Sequence, residues 1–151
     1  MKKIDLHTHT VSSISDKDFD FSLEKVSEYV EKLKIDALAI TNHNLFELGQ
    51  YYRIKESLDI TVFPGIEIDL EGGHILLITE DEEFEIVRFS EKCKMVSDLI
   101  KDKEDSLSLD QFHNIFPELD KYLVIPHYDK KPIIKDDIIS AINTNISAGE
   151  V

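Results

Sequence analysis

The sequence predicts an α/β domain built around a largely parallel sheet. Short apolar segments alternate with segments whose apolar residues recur at helical spacing, which is the pattern of βαβ units. Histidines and a glutamate lie at or near the ends of several apolar segments, where α/β folds and barrels collect their functional groups. The length of 151 residues fits one domain, residues 1–151, with a sizeable core.

Five segments have the composition of strands. In order they are residues 3–9, 35–41, 59–70, 74–79 and 122–125. The second is a nearly continuous apolar run, as expected for a strand that is covered on both faces. Pro64-Gly65 is expected to interrupt the third strand, and Gly72-Gly73 predicts a turn before the fourth.

Five further segments are predicted helices. They cover residues 23–33, 45–57, 84–101, 109–116 and 136–143. Ser22 is placed to cap the first helix, and Pro117 stops the fourth. Residues 101–106 are acidic and rich in lysine, which predicts a solvated loop. No internal repeat or linker divides the chain.

The net charge of −14 argues against a broad phosphate-binding surface, because nucleic-acid binders usually cluster lysine and arginine. The net charge does not exclude binding of a polyanion in a metal-lined cleft, where bound ions are the largest local charges. Cys93 is the only cysteine, which excludes an intrachain disulfide and agrees with a cytoplasmic location. No apolar run is long enough to span a membrane, so no membrane partner is expected.

The first strand ends in a His-x-His pair. Because strand side chains alternate, His7 and His9 are predicted to share one face with Asp5 behind them, while Leu6 and Thr8 take the other face. Imidazole is the commonest protein ligand for divalent transition metals. A pair alone is weak support, since paired histidines are also found as partly buried polar residues.

The other histidines strengthen this interpretation. His43 and His127 follow predicted strands, His74 begins one, and Glu67 lies in another after Pro-Gly-Ile. Taken singly, each of these residues is more readily explained by a structural role. A buried Glu67 would need a partner, and a salt bridge is the alternative to a metal ion. Together at strand ends, they favour a metal site. His113 lies within a predicted helix and is interpreted as structural.

Imidazole mixed with carboxylate suits zinc, manganese or iron better than calcium or magnesium alone. One carboxylate can bridge two cations held about 3.5–4 Å apart. Such ions lower the pKa of bound water and neutralise the charge that builds on phosphoryl oxygens. Because most of these ligands are neutral, the bound ions keep a net positive charge that can attract an anionic substrate.

Five motifs, in the order of the chain, resemble successive motifs of the PHP (polymerase and histidinol phosphatase) family. They are Asp5-Leu6-His7-Thr8-His9-Thr10, Thr41-Asn42-His43-Asn44, Pro64-Gly65-Ile66-Glu67, Gly73-His74-Ile75-Leu76 and Ile125-Pro126-His127. The resemblance covers nearly the whole chain. It implies a distorted β/α barrel that binds two or three divalent metal ions and hydrolyses phosphate esters.

The same resemblance implies a set of metal ligands, with Glu67 as the bridge between ions. The set is His7, His9, Asp16, His43, Glu67, His74 and His127. For Asp16, in Ser15-Asp16, the alternative of one more acidic residue in a polar loop stays open. Catalytic roles are assigned to Glu67 and His9.

Three departures from the family pattern are visible. Asn42 stands where the family usually has aspartate, which removes a carboxylate expected behind the metal ligands and predicts weaker metal binding. Tyr128 follows His127 where proline is usual, a milder change. No late Asp-x-His motif follows, and residues 149–151 resemble the family's next strand just beginning.

The missing motif predicts a barrel that is incomplete at its C-terminus. The chain is then either the N-terminal part of a longer protein or a shortened barrel that completes its metal site differently. Asp129 and Glu150 are the candidates for substitute ligands.

Three functions are compatible with these motifs. The leading hypothesis is a metal-dependent phosphoesterase that acts on a nucleotide, a nucleic-acid end or a small phosphorylated metabolite. The second is a catalytically degenerate PHP module with a structural or regulatory role in a larger multidomain protein, favoured by Asn42 and the missing motif. The third is hydrolysis of a carbon–nitrogen bond, because related ligand sets serve amidohydrolases.

Overall fold

A computed structural model of the protein describes residues 1–14, 16, 20–128 and 134–142. Ser15, Asp129, Glu150 and the segment 149–151, all considered above, lie outside these residues. The elements of the described residues follow one another in this order: β1 (Ile4–Thr8), α1 (Leu23–Leu33), β2 (Ala37–Ile40), α2 (Leu48–Ser57), β3 (Thr61–Leu70), β4 (Gly73–Ile78), α3 (Glu83–Leu99), α4 (Leu109–Ile115), a 3₁₀ turn (Leu119–Lys121), β5 (Leu123–His127) and α5 (Asp136–Ile142).

The strands form one sheet in the order β1-β2-β3-β4-β5. The ladders β1–β2 and β2–β3 are parallel, but β3–β4 and β4–β5 are antiparallel. The prediction of a largely parallel sheet is therefore wrong for the second half. The physical reason is the short turn at Glu71-Gly72, because such a connection can join only antiparallel strands. It reverses β4, whereas β5 runs in the same direction as β3 and is therefore antiparallel to β4 as well. Gly73 has φ +144°, a conformation that L side chains rarely adopt.

The third strand is continuous where Pro64-Gly65 was expected to interrupt it. Residues 61–64 pair with β2, and residues 65–70 pair with β4, so the strand changes its main partner at this dipeptide. A Cβ at position 65 would lie 2.8 Å from Cγ2 of Thr41 and 3.1 Å from the Leu77 carbonyl oxygen. Glycine thus allows the backbone of β3 to approach both neighbouring segments closely.

Helices cover one face of the sheet. Phe89 and Cys93 of α3, for example, are buried in one core with Leu38 and Ile66 from the strands. A smaller apolar cluster fills the inner face of the sheet, and it consists of Ala39, Leu76, Ile78 and Ile125 with Leu6, Phe63 and Leu123 packed against it.

The sheet curls around this inner face. The rings of His7 in β1 and His127 in β5 lie 5.3 Å apart between centroids, although these two strands are the edges of the sheet. The strands therefore form part of a distorted β/α barrel, as the sequence predicted. Among the described residues, no helix is both long enough and apolar enough to cross a membrane.

Helix α1 begins where the sequence predicted. The Ser22 side chain accepts a hydrogen bond of 3.2 Å from the backbone N–H of Lys25, which caps the free N–H groups of the first turn. Helix α2 begins at Leu48, three residues later than expected, because residues 42–44 continue alongside β3. His43 forms a bridge with Glu67 there, which brings these two residues together.

Candidate metal centre

The inner face of the sheet changes from apolar to polar along the strands. In the ladder between β4 and β5, the inward positions pair as Ile78 with Leu123, Leu76 with Ile125, and His74 with His127. The antiparallel arrangement places the beginning of β4 beside the end of β5. The two histidines therefore lie at the same edge as the carboxyl ends of the parallel strands.

A bulge in β1 sets the direction of its histidines. The register against β2 shifts between Asp5 and Thr8, where β1 has one extra residue. Leu6 packs into the inner apolar cluster, whereas Asp5 accepts a hydrogen bond from the hydroxyl of Tyr29 in helix α1. The prediction that Asp5 shares the face of His7 and Leu6 opposes it is wrong, because a bulge interrupts simple alternation.

Three imidazoles converge on one oxygen of Glu67. The Nε2 atoms of His7, His9 and His43 lie 2.9, 3.0 and 2.9 Å from Oε2 of Glu67. The Nε2 atoms of His7 and His9 are themselves 3.0 Å apart. Glu67 is fully buried, at 0% exposure.

The surroundings of Glu67 keep it ionised. Burial opposes ionisation, but the hydrogen bonds to His43, His7 and His9 outweigh it and hold the pKa of Glu67 below its usual value. The centre of the site is thus a buried negative charge surrounded by nitrogen donors.

Asp69 is a further acidic residue of the site that the sequence analysis missed. Its Oδ1 contacts Nδ1 of His74 and lies 3.3 Å from Nδ1 of His43. Its Oδ2 accepts a hydrogen bond of 2.9 Å from the side chain of Asn44. Asp69 is two residues beyond Glu67 in a strand, so the alternation that paired His7 with His9 would have identified it.

The pKa of Asp69 also lies below its usual value. Burial raises it, but the hydrogen bonds to His43, His74 and Asn44 have the larger combined effect. Two buried carboxylates therefore stay ionised within this part of the barrel.

Asp16 lies beside the His9 ring. Its Oδ1 is 3.2 Å from Nδ1 of His9 and 4.0 Å from Nε2 of His43, and its Oδ2 accepts a hydrogen bond of 2.8 Å from the Ser13 hydroxyl. The structure thus brings Asp16 to the histidine cluster. His113 lies on α4 and belongs to none of the groups of neighbouring donor atoms found among the described residues.

Asn42 has a different role from the one expected of a residue behind the metal ligands. Its Oδ1 accepts hydrogen bonds from the backbone N–H groups of Thr10, at 2.6 Å, and Val11, at 3.2 Å. The Asn42 side chain therefore holds the segment that follows His9, and its hydrogen bonds go to that segment rather than to an imidazole.

The donor atoms fit divalent metal ions. Among the residues that the structure describes, three groups each have ligand atoms within 4.8 Å of one another: His7, His9 and Glu67; His9, Asp16 and His43; and His43, Asp69 and His74. Donors about 2.0–2.2 Å from a metal are roughly 3.0–3.5 Å apart, which matches the spacings around Glu67. Nε2 of His74 is buried and has no hydrogen-bond partner among the described residues, as a ligand atom facing an ion would.

A cleft of about 520 Å³ adjoins the centre on the side of His43. Its walls come from the segment after His9, the segment after His43, and the end of α3. The described residues of the lining combine aliphatic side chains with serines and a lysine: Ser12, Ser13, Ile14, His43, Asn44, Leu45, Ser97, Ile100 and Lys101.

Comparisons with known proteins agree with this geometry. A solved structure from Bifidobacterium adolescentis, named a "putative metal-dependent phosphoesterase", superposes on this chain with a TM-score of 0.55 at 13% identity. The match covers 99% of this chain and 77% of that one, and it supports the fold. No curated protein sequence matches significantly. The family profile of the PHP domain matches residues 5–146. The chain therefore belongs to the PHP domain family.

Proposed function

We propose that the protein is a metal-dependent phosphoesterase that hydrolyses a phosphate ester of a small molecule, such as a nucleotide or another phosphorylated metabolite. The observation that carries this proposal is the convergence of three imidazole nitrogens on one oxygen of Glu67, at 2.9–3.0 Å. Membership of the PHP family and the name of the structural neighbour support the same class of reaction.

In this proposal His7, His9, His43, Glu67, His74 and His127 hold two or three ions, with Asp16 beside them. Zinc, manganese and iron suit this donor set. Such ions, when bound, lower the pKa of a water and offset the charge that develops on phosphoryl oxygens. Glu67 acts as the shared ligand, because its ionised carboxylate faces His7, His9 and His43 together.

The residues of this chain have further tasks. The buried position of Glu67 prevents bulk water from competing for its oxygens, and Asn42 holds the backbone that follows His9. His9 connects two carboxylates, with Nε2 toward Glu67 and Nδ1 toward Asp16. This arrangement restrains the orientation of its ring where the phosphoryl group would react.

The cleft beside His43 supports a small substrate. Its volume is in the range of roughly 300–1,000 Å³ that is typical of small-molecule sites, and its aliphatic lining suits an organic leaving group. Lys101 supplies a cation among the described residues that line it. The net charge of −14 disfavours a long polyanion, so we place a nucleic-acid end second to a small ester.

The test combines metal content with phosphate release. Protein reconstituted separately with Zn²⁺, Mn²⁺ and Fe²⁺ would be analysed for bound metal and incubated with nucleoside monophosphates, sugar phosphates and short oligonucleotides. We expect two or more equivalents of metal and release of phosphate from the small esters. Faster cleavage of oligonucleotides would overturn the substrate class. Bound metal without hydrolysis of any ester would favour the non-catalytic module.

A further inference from the structure

We propose that Asp69 is a positioning residue that holds the proton of His74 on Nδ1 and thereby presents Nε2 of this ring to the metal centre. The proposal rests on the metal-binding role that the proposed function gives to His74. It adds a residue that belongs to none of the motifs identified in the sequence.

The contact geometry carries the argument. An ionised carboxylate can only accept hydrogen bonds, so a neutral imidazole must turn a protonated nitrogen toward it. Oδ1 of Asp69 contacts Nδ1 of His74 and lies 3.3 Å from Nδ1 of His43. A neutral imidazole has one N–H, and a proton on Nδ1 leaves the lone pair on Nε2.

His74 differs in this respect from His43, whose Nε2 lies 2.9 Å from Oε2 of Glu67 and therefore turns its own N–H toward a carboxylate. Nε2 of His74 is buried without a hydrogen-bond partner among the residues that the structure describes. A buried lone pair with no donor is costly unless a ligand uses it. A metal ion opposite Nε2 of His74 would remove that cost.

Asp69 is itself held rigidly by Asn44. The Asn44 side chain donates to Oδ2 of Asp69 and accepts from the backbone N–H of the same residue, each at 2.9 Å. Asn44 has φ 54°, and its carbonyl accepts a hydrogen bond of 2.7 Å from the Ser97 hydroxyl of α3. With Oδ2 engaged in this way, Oδ1 is the oxygen that faces the imidazoles.

This arrangement also places a negative charge behind the site. Asn42, which stands where the family resemblance expects aspartate, provides no charge and bonds to the backbone of Thr10 and Val11. Asp69 therefore supplies the carboxylate that orients the His74 imidazole and increases its basicity.

The first test needs no metal and no substrate. Long-range ¹H–¹⁵N spectra of metal-free wild-type protein would report which ring nitrogen of His74 carries the proton when the ring is neutral. We expect the Nδ1–H tautomer. Observation of Nε2–H in His74 would overturn the proposal. The result is independent of phosphate release, so this proposal and the proposed function can fail separately.

The second test is Asp69→Asn. The asparagine carbonyl can keep the bond from Asn44, and its amide would then donate to Nδ1 of His74 and reverse the tautomer. We expect metal affinity to fall roughly 10- to 100-fold with the number of bound ions unchanged. The matched control is Asp81→Asn, whose carboxylate contacts Tyr51 and Lys55 beyond the other end of β4.

The control is expected to keep wild-type metal affinity. Loss of a whole equivalent of metal from Asp69→Asn, with the His74 tautomer unchanged, would make Asp69 a direct ligand and contradict the proposal. Wild-type affinity in Asp69→Asn would contradict it as well. If the variant fails to fold, the tautomer of His74 in the wild-type protein decides the question.

Discussion

His74 and His127 lie opposite each other in the antiparallel ladder between β4 and β5. One residue is near the beginning of its strand and the other is at the end, yet both lie on the side of the sheet where the parallel strands have their carboxyl ends. The reversal of direction after β3 is what brings them together. A strictly parallel sheet would have placed the beginning of β4 at the opposite edge, away from Glu67.

Replacement of Glu67 by glutamine tests the centre of the site. Glu67→Gln keeps the size of the side chain but removes the charge that faces three imidazoles, so we expect loss of activity and a fall in metal affinity of roughly 100-fold or more. Elemental analysis and calorimetric titration measure the effect. Glu80→Gln, at an exposed position after β4, is the control. Full metal content with normal turnover in Glu67→Gln would refute the assigned role.

Substitution of Asn42 separates two roles for this position. Asn42→Asp keeps the oxygen that accepts from Thr10 and Val11, and since the side chain bonds to no imidazole, we expect metal affinity to stay within about three-fold of wild type. Asn42→Ala leaves backbone donors unpaired and should lower the free energy of unfolding by about 1–3 kcal/mol. Denaturant unfolding and metal titration check both. A ten-fold gain in affinity for Asn42→Asp would place the residue behind the ligands after all.

Two glycines offer a matched test of backbone packing. Gly65→Ala places a methyl group 2.8 Å from a side-chain carbon of Thr41 and 3.1 Å from the Leu77 carbonyl oxygen, so we expect a loss of about 1–3 kcal/mol in the free energy of unfolding. Gly49 lies in helix α2 and its Cβ position has no atom within 4 Å. Gly49→Ala should therefore be neutral or stabilising by up to about 1 kcal/mol. Equal effects of the two substitutions in urea unfolding would show that β3 can relax away from its neighbours.

The raised pKa of Tyr122 predicts a loss of folding stability at alkaline pH. Burial, with the nearby Cys93 and Glu85 adding to it, raises the pKa of Tyr122 to about 12. The folded state therefore favours the neutral phenol, and its contribution is present below the unfolded pKa of about 10 and is lost as the pH rises from about 10 to 12. The free energy of unfolding should fall less steeply over this range in Tyr122→Phe than in the wild type. Parallel pH dependence in the two proteins would contradict the predicted burial effect.

Much of the candidate site follows from residue type and spacing. The His-x-His pair, the Pro-Gly-Ile-Glu segment and the histidines beside apolar segments identified residues that the structure places together around Glu67. These residues meet because the parallel strands of an α/β fold have their carboxyl ends on one side, and the reversal of β4 brings the start of that strand to the same side. Asp69 was missed although its spacing of two residues from Glu67 was a signal, and only the structure shows that Asn44 and His74 contact its carboxylate.

The sequence by itself determined the α/β class, the PHP motifs and the acidic character of the protein, because these depend on local periodicity, short motifs and composition. Only the tertiary structure decided that the second half of the sheet is antiparallel and that a bulge places Asp5 and His7 on opposite faces of β1. The same holds for the contact of the Asp69 carboxylate with Nδ1 of His74. The bulge arises from backbone pairing between β1 and β2, which are distant in the sequence, whereas the reversal of β4 and the contact of Asp69 with His74 depend on how the turn at Glu71-Gly72 closes. The hydrogen bonds that fix such pairing join residues whose proximity exists only in the folded chain.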